Sequence, residues 1–478
     1  MKGADHAFFA EALRKCKECF KYVFQNRKAI MTDALDTLSL LLEKARAAGA
    51  QSCDAVMFET TDVSTSRRLG KIEGLERSES KAVGLRAFIG QQQAIVSGTD
   101  THPDALGELA QRAVAMARAA PLDPDAMLAP EALHVRDVPE LDLFDAEEPN
   151  TTWLNEQCRI AEETALAVKG ITNSEGADAQ YSKSRISLAM ADERAITFAR
   201  SYRSSHFSLS VSVLAGEGTN MERDYDFSTV RHRGDLTDPA FLGNNASQRA
   251  LKRLNPRKVP TCQVPVILDP RISRGMLSVL AGSISGASIA RGSSFLKDAL
   301  HQPIFAESIM IFDDPHIRRG LGSKPFDAEG VKNGKRAIVE NGVLTTWLLD
   351  MHSASKLKMT TTGHATRGIA SPPSPSATNL YMAAGELSPE ELMHDIKSGL
   401  YVCETFGMGI NTVTGDYSQG AAGFWIENGE IAYPVSEITI AGRLSDMFRR
   451  LTPANDLVLR YATNAPTVRI DAMTVAGT

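Results

Sequence analysis

The sequence predicts an α+β fold. A helix–strands–helix unit occurs twice in the N-terminal half, and a strand-rich antiparallel β domain with few helices follows it. Three observations carry that prediction. Apolar stripes at helical spacing, opened by capping residues, recur in the same order at two places in the first half. Runs that alternate apolar and polar residues fill the intervals. In the second half, two Asn-Gly pairs sit between apolar runs, an arrangement that selects a type I′ hairpin because both central residues take positive φ.

Copy one (about 33–120) opens with a helix from about Asp33 that aligns Leu35, Leu38, Leu42 and Ala45. A short strand is expected at Ala55–Glu59, then a hairpin of Val83–Ile89 and Ala94–Val96 around the turn Gly90–Gln93. A helix from Pro103 to Ala119 turns Leu106, Leu109, Ala113 and Ala117 inward. A Pro- and acid-rich connector, Pro121 to Pro149, leads to copy two (about 151–255). There Leu154, Cys158, Ala161 and Ala165 mark a helix that follows Thr151. Ile186, Leu188 and Met190 alternate as a strand that returns, past the turn Ala191–Arg194, through Ile196 and Phe198. Phe207, Leu209, Val211 and Val213 form a further strand. Asp238-Pro239 supplies an N-cap and a first-turn proline for the last helix, which is expected to end at Asn255-Pro256. The repeat is one of element order, not of residue identity.

Residues 31–255 are therefore assigned to an N-terminal α/β domain and 256–478 to a C-terminal β-rich domain. Residues 1–30 differ in composition from the rest of the chain and read as an N-terminal extension, either a leader from an upstream start codon or an amphipathic addition. In the second half the hairpin signals are Glu340-Asn341-Gly342 and Glu427-Asn428-Gly429. Trp347 with Leu348, and Ile438 with Ile440, continue the sheet pattern. Ser388-Pro389-Glu390-Glu391 reads as a capping box opening a helix with the stripe Leu392, Ile396, Leu400 and Cys403, closed by Gly407. Thr360–Thr378, rich in Thr, Gly, Ser and Pro, reads as a long exposed loop.

With 478 residues, 43% hydrophobic and 23% charged, the chain has the composition of a globular protein of two or three domains. A net charge of −6 and a pI of about 6.0 argue against a dedicated nucleic-acid binder. No run of 18 apolar residues suggests a membrane span, and no signal peptide is evident, so a cytoplasmic location is expected. The six cysteines (Cys16, Cys19, Cys53, Cys158, Cys262, Cys403) are scattered and read as reduced thiols. Cys16 and Cys19 form a lone C-x-x-C without the second pair a zinc site needs.

None of the ten histidines lies three to five residues from another, so the helical two-histidine zinc motif is absent. No G-x-S-x-G elbow occurs. The S-x-x-K matches Ser353/Lys356 and Ser294/Lys297 lack their companion motifs. The run Leu280–Gly292 has no P-loop ending and suits a helix packed through small residues. The glycine-rich stretch Gly407–Gly423 is the chemically specialised one. It carries Asn411, Thr414, Gly415, Asp416, Tyr417 and Ser418, and reads either as a tight turn or as the wall of a peptide-binding or active site.

That stretch, continuing through Phe424-Trp-Ile-Glu-Asn-Gly429 and Tyr433-Pro-Val-Ser-Glu-Ile-Thr-Ile-Ala-Gly442, resembles the C-terminal signature of the TldD/PmbA family, in its PmbA/TldE branch. Pro325-Phe-Asp-Ala-Glu-Gly330, Glu340-Asn-Gly-Val-Leu-Thr-Thr-Trp-Leu-Leu349, Ser353-Ala-Ser-Lys-Leu357 and Thr362-Gly-His364 add to the resemblance. The resemblance implies a zinc-dependent peptidase system in which the TldD branch carries H-E-x-x-x-H on a helix and a later cysteine. On this sequence the motif falls near Ser278, Val279 and Ser283, and no cysteine follows Cys403. It therefore implies a subunit with no catalytic residue and no metal or other cofactor of its own, with zinc in a TldD-type partner. Heterodimer formation, a possible homodimer when alone, and unfolded or ribosomally made peptides such as microcin precursors as substrates are implied too. The family is also called a modulator of DNA gyrase, so a stand-alone adaptor is one alternative. A hydrolase with an unrecognised site is another.

Overall fold

The structure, a computed structural model, describes residues 34–477. The expectations for residues 1–30 and for Cys16 and Cys19 lie outside the described residues. Copy one is α1 (Ala34–Ala47), β1 (Ser52–Arg68), β2 (Lys71–Ile89), β3 (Gln92–Gly98) and α2 (Pro103–Ala119). Copy two is α3 (Thr151–Leu166), β4 (Ile171–Ala191), β5 (Ile196–Ala215), β6 (Glu222–Val230) and α4 (Pro239–Lys252). All six strands form one sheet in the order β3-β2-β1-β4-β5-β6. The copies meet at β1 and β4, which pair antiparallel from Cys53↔Ala191 to Arg67↔Ala177. The sheet therefore has an approximate two-fold relation about its centre.

The helices are where their apolar spacing and caps put them. Asn150 and Asp238 cap α3 and α4 by accepting from Trp153 N and Phe241 N. The strands are longer than expected. β1 has 17 residues instead of the few around Ala55–Glu59, and the two segments expected around Phe198 and Phe207 are one strand, β5. Past Glu59, β1 has Val63 as its one apolar residue, and the middle of β5 (199–206) is mostly polar, so neither stretch gives an alternation to read and backbone pairing extends them.

Side-chain alternation splits the sheet into two faces. Ala55, Met57, Leu85 and Ala87 face α1 and α2, while Val63, Ala179, Leu209 and Val211 face α3 and α4 on the same side. The opposite face, with Val56, Leu188, Met190 and Phe198, packs on Phe326 and Ile369 of the C-terminal half. Gly84 permits this approach, since a Cβ there would lie 2.0 Å from the Ile369 carbonyl oxygen.

The C-terminal half begins with β7 (Cys262–Leu268), α5 (Pro270–Ser283) and α6 (Gly286–Ala290). Short strands β8 (Ile311–Asp313), β9 (Arg336–Glu340), β10 (Val343–Leu344) and β13 (Leu380–Met382) follow, with α7 (Met351–Lys356) and the small pair β11 (Ala365–Thr366) and β12 (Ser374–Pro375) among them. After α8 (Pro389–Met393) come β14 (Ser398–Phe406), β15 (Ile410–Asn411), β16 (Asp416–Glu427), β17 (Glu430–Arg443), α9 (Leu444–Arg449), β18 (Leu451–Pro453), β19 (Thr463–Asn464) and β20 (Val468–Ala476). Strands β14-β7-β20-β17-β16 pair in succession, and β16 returns to β14, which closes a barrel. Both Asn-Gly hairpins form. Asn341 and Gly342 have φ of 49° and 77°, and Asn428 and Gly429 have 50° and 84°.

Three expectations are corrected. The capping box of Ser388 and Glu391 forms, but its helix stops at Met393, and Leu400 and Cys403 belong to β14. Gly399, Leu400 and Val402 are buried there because the strand closes the barrel, a long-range demand that a local helical spacing mimics. Gly407 closes no helix; it turns the chain between β14 and β15 at φ 99°. Within Thr360–Thr378, Thr362, His364 and Arg367 are buried, because that loop packs under the N-terminal sheet. Trp347 and Leu348, expected to continue the sheet pattern, are buried but belong to none of these strands.

Charges are buried between the two halves. Asp54 of β1 is fully buried and bonds Arg86 of β2 (2.7 Å) and Arg367 of the C-terminal loop. Burial alone would raise its pKa, but the two guanidinium groups override that and lower it. Nearby, burial pushes Asp327 up to about 6. Burial, and then the charge of Asp327, hold Glu329 well above the carboxylate range. Asp54→Ala would strand two buried cations and should cost about 3–5 kcal/mol in urea unfolding. A loss below about 1 kcal/mol would contradict the role given to this pair. Glu329 makes a separate prediction. A carboxyl whose folded pKa is raised stabilises the fold below its unfolded pKa, and that contribution fades as pH rises through the folded value. Glu329→Gln stays neutral, so it should flatten the decline in stability as pH rises above the ordinary carboxylate range. An unchanged slope would refute it.

Candidate functional site

The site is built around α5 and the turn between β15 and β16. Asp269 caps α5 by accepting from Arg271 N (2.9 Å), and the Tyr401 hydroxyl donates to its second oxygen (3.0 Å). Pro270 at the first position pre-sets the helical φ. Arg271 donates to Asp224 (2.9 Å) and to the Tyr225 carbonyl (3.0 Å) on β6. Arg274, one turn on, lies over the Tyr461 ring at 4.5 Å, and Tyr461 stacks on Phe227 at 5.1 Å. These contacts fix the first half of α5 against the outer strand of the N-terminal sheet.

Further along α5 stand the positions singled out in the sequence. Ser278 is exposed and donates its hydroxyl to the Arg274 carbonyl (3.4 Å). Ser283 is buried and donates to the Val279 carbonyl (2.8 Å). Val279 packs against the core and offers no donor atom. The end of α5 is tied to the glycine-rich turn through two neighbouring residues. Ser294 donates to the Ser283 carbonyl (2.6 Å), and Phe295 N donates to the Thr412 carbonyl (2.9 Å). α5 and the glycine-rich stretch are therefore parts of one structure.

Within that turn, Asn411 Oδ1 accepts from Val413 N (2.9 Å) and Thr414 N (3.3 Å), and Gly415 N donates to the Asn411 carbonyl (2.8 Å). Gly415 takes φ 80°, and a Cβ there would meet the Phe295 ring at 3.3 Å. The Thr414 hydroxyl donates to Asp416 (2.5 Å), whose other oxygen is 3.7 Å from Arg443. Alternation then separates the remaining residues. Asp416 and Ser418 point outward, as do Asn411 and Thr414 before them, whereas Tyr417 is buried in the barrel core. Burial pushes the Tyr417 phenol up to about 12. Four of the six sequence-singled residues are thus reachable by a ligand, and Gly415 and Tyr417 support them from beneath.

Other constellations do less. Thr362, His364 and Asp313 form a hydrogen-bonded series (2.8 and 3.2 Å), but all three are buried, and the Thr362 hydroxyl also contacts the Leu349 backbone. This is the layout of a structural pin. Among the described residues, one group could offer three metal donors: Asp123, Asp125 and His352, half-buried beside α7. Cys403 lies on β14 with its thiol raised to about 11 by burial. The sequence reading missed the arginines that join α5 to β6. Their only local signal is the alternation of Tyr225 and Phe227 with acidic Asp224 and Asp226.

Fold and site together define an α+β protein that combines a duplicated helix–sheet half, a closed barrel, and a helix, α5, that carries Ser278, Val279 and Ser283 and no metal-donor side chain. Models of the PmbA/TldA metallopeptidase domain 1, central domain and C-terminal domain match residues 53–117, 198–254 and 261–477. Metalloprotease PmbA of Escherichia coli O157:H7 is 38% identical over 453 residues, covering 94% of this chain and 97% of that protein. A PmbA homolog of Haemophilus influenzae is 36% identical over 454 residues, with the same coverage. The chain belongs to the TldD/PmbA family. Its fold is shared with TldE from Thermococcus kodakarensis (TM-score 0.82, 18% identity, covering 92% of this chain and all of that one). It is shared too with a protein proposed as a modulator of DNA gyrase from Bacteroides thetaiotaomicron (TM-score 0.84, 23% identity, covering 94% and 100%).

The metallopeptidase name implies a metal, and α5 does not fit one. Both serine hydroxyls spend their protons on the helix's own carbonyls, Val279 has no donor, and Arg271 and Arg274 place positive charge on the same helix. Zinc takes thiolate, imidazole or carboxylate ligands, and none stands on α5.

The split within the turn gives a stability prediction. Tyr417→Ala should cost about 3–5 kcal/mol, as for other large buried side chains. Gly415→Val should cost about 1–3 kcal/mol because φ is positive and the Phe295 ring is in contact. Asp416→Ala and Ser418→Ala should stay within about 0.5 kcal/mol. Denaturant unfolding of the four variants reads this directly, and equal losses in all of them would refute the assignment.

Proposed function

We propose that this chain is the non-catalytic, TldE/PmbA-type subunit of a cytoplasmic, zinc-dependent peptidase complex. It shapes the compartment in which unfolded or ribosomally made peptides are cut, and hydrolysis is left to the zinc of a TldD-type partner. The observation that carries the reading is the chemistry of α5. The helix keeps its caps, its packing and its ties to β6 and to the glycine-rich turn, yet holds no metal donor. The four exposed residues Asn411, Thr414, Asp416 and Ser418 are read as the wall along which peptide passes. The cytoplasmic setting rests on the four described cysteines, all free. Among the described residues no helix is long and apolar enough to cross a membrane.

A contact surface for the partner is read from β2. Only Val83–Ile89 of this strand pairs with β3, so among the described residues Lys71–Ala82 has a strand neighbour on one side alone. Leu69, Ile72 and Leu75 are more than half exposed at its tip. A free strand edge with exposed apolar side chains is a ready site for another chain.

In a complex reconstituted with a TldD-type subunit, Ser278→Ala should cleave an unfolded peptide at the wild-type rate. The double change Asp416→Ala and Thr414→Ala should slow cleavage several-fold while both chains still co-purify. Loss of activity in Ser278→Ala with full activity in the double variant would reverse the assigned roles. Ile72→Glu with Leu75→Glu should weaken co-purification with the partner while leaving the melting temperature of the isolated chain unchanged. Undiminished complex formation would remove this edge from the interface.

A further inference from the structure

The outer edge of β6 borders a cavity of ≈ 430 Å³ between the N-terminal sheet and the C-terminal half. β6 is the last strand of its sheet, so every second residue directs its backbone away from β5. The parity is fixed by what those groups touch. Tyr225 N and Phe227 N donate to the side chains of Asp224 and Asp226 (2.8 and 3.0 Å), and so are not ladder donors. The carbonyls of Arg223 and Tyr225 accept from Arg253 and Arg271 (both 3.0 Å). By the same alternation, the Phe227 carbonyl and both backbone groups of Thr229 point outward. Phe227 and Thr229 line the cavity. Two arginines therefore close the first half of the edge, while the second half opens on the cavity.

The cavity is also cationic. Arg231 follows β6, is buried, and has no ion pair with a carboxylate among the described residues. It donates to the carbonyls of Gly320 (3.3 Å), Leu321 (2.5 Å) and Ser205 (3.3 Å) and contacts His206 Nδ1 (3.1 Å). Those contacts occupy four of the five N–H groups of a guanidinium. Burial without an anion lowers its pKa to about 10. Arg460, exposed at the mouth, has no ion pair among the described residues, whereas Arg318 and Arg319 are held by Asp142 and Asp235. Tyr461, stacked on Phe227, supplies an apolar wall. A buried cation without a counter-charge is costly unless something anionic reaches it.

We propose that this cavity binds an extended peptide bearing a carboxylate: its backbone adds to β6 at Phe227 and Thr229, and its carboxylate meets Arg231 and Arg460. Strand addition supplies affinity that is blind to side chains, and the arginines supply the preference for negative charge. The carboxylate can come from the chain end or from an Asp or Glu side chain. The inference rests on the peptide-handling function proposed above and names the chemistry that one part of the chain would select.

The test uses three short N-acetylated Val/Thr peptides of equal length, titrated calorimetrically into the whole chain. One ends in a free acid, one in an amide, and one ends in an amide but contains a single Glu. At least one carboxylate peptide should bind roughly tenfold tighter than the neutral amide, the scale of a charge-assisted hydrogen bond, and which one does so identifies the source. Arg460→Gln, an exposed change, should remove the preference. Thr229→Pro should weaken all three peptides, because it deletes an outward N–H that the sheet itself does not use. Arg231→Lys, checked by its melting curve, should reduce the preference while the fold persists. Equal binding of all three peptides, or unaltered binding in both Arg460→Gln and Thr229→Pro, would overturn the proposal. If partner-dependent cleavage is intact while the preference is missing, this site fails alone. If cleavage by the wild-type complex is absent, the subunit reading fails instead.

Discussion

Asp54 is an anion at zero exposure whose two neutralising arginines come from different parts of the chain, and the relation of the two halves depends on it. Arg86 is its neighbour on the adjacent strand. Arg367 reaches it from the loop that leads to the C-terminal strands. An ion pair of this kind adds little net stability, but it severely penalises arrangements that leave one member unpaired. It therefore sets the face of the N-terminal sheet that meets the C-terminal half, and Gly84 admits the Ile369 backbone on that same face. Once that seating is set, β6 lies beside α5, and Arg271 and Arg274 can hold the helix against the strand.

The sequence showed elements wherever local rules decide the outcome. Asp238, Ser388, Asn341 and Asn428 each act through neighbours within three residues, and each sits in the cap or turn its type suggests. Local rules fail where a distant partner decides. Leu400 and Cys403 continue the spacing of a helix, but β16 and β7 recruit that segment into the barrel. The outer part of β1 has Val63 as its one apolar residue, so its length comes mainly from pairing with β2 and β4. The burial of Thr362, His364 and Arg367 arises from contacts with Asp313 and Asp54, which lie tens to hundreds of positions away.

The candidate site was legible in the same uneven way. The glycine-rich stretch announced itself by composition, and Ser278, Val279 and Ser283 were singled out through the family resemblance; the structure puts all three on α5. The split between exposed Asp416 and buried Tyr417 needed the strand register, which the pairing of β16 with β17 and β15 sets. The arginine-lined edge of β6 had no motif, because its residues come from three separate segments around Phe227, Arg319 and Tyr461. The result is a chain with the architecture of the TldD/PmbA family and an α5 that carries no thiolate, imidazole or carboxylate.

Metal chemistry, in the function proposed for this chain, is absent from it and present only in its partner. Native mass spectrometry of the reconstituted complex, with gas-phase separation of the two subunits, measures this most directly. One zinc per heterodimer is predicted, leaving with the TldD-type subunit, with this chain at its metal-free mass. A zinc ion that stays with this chain in stoichiometric amount would contradict it.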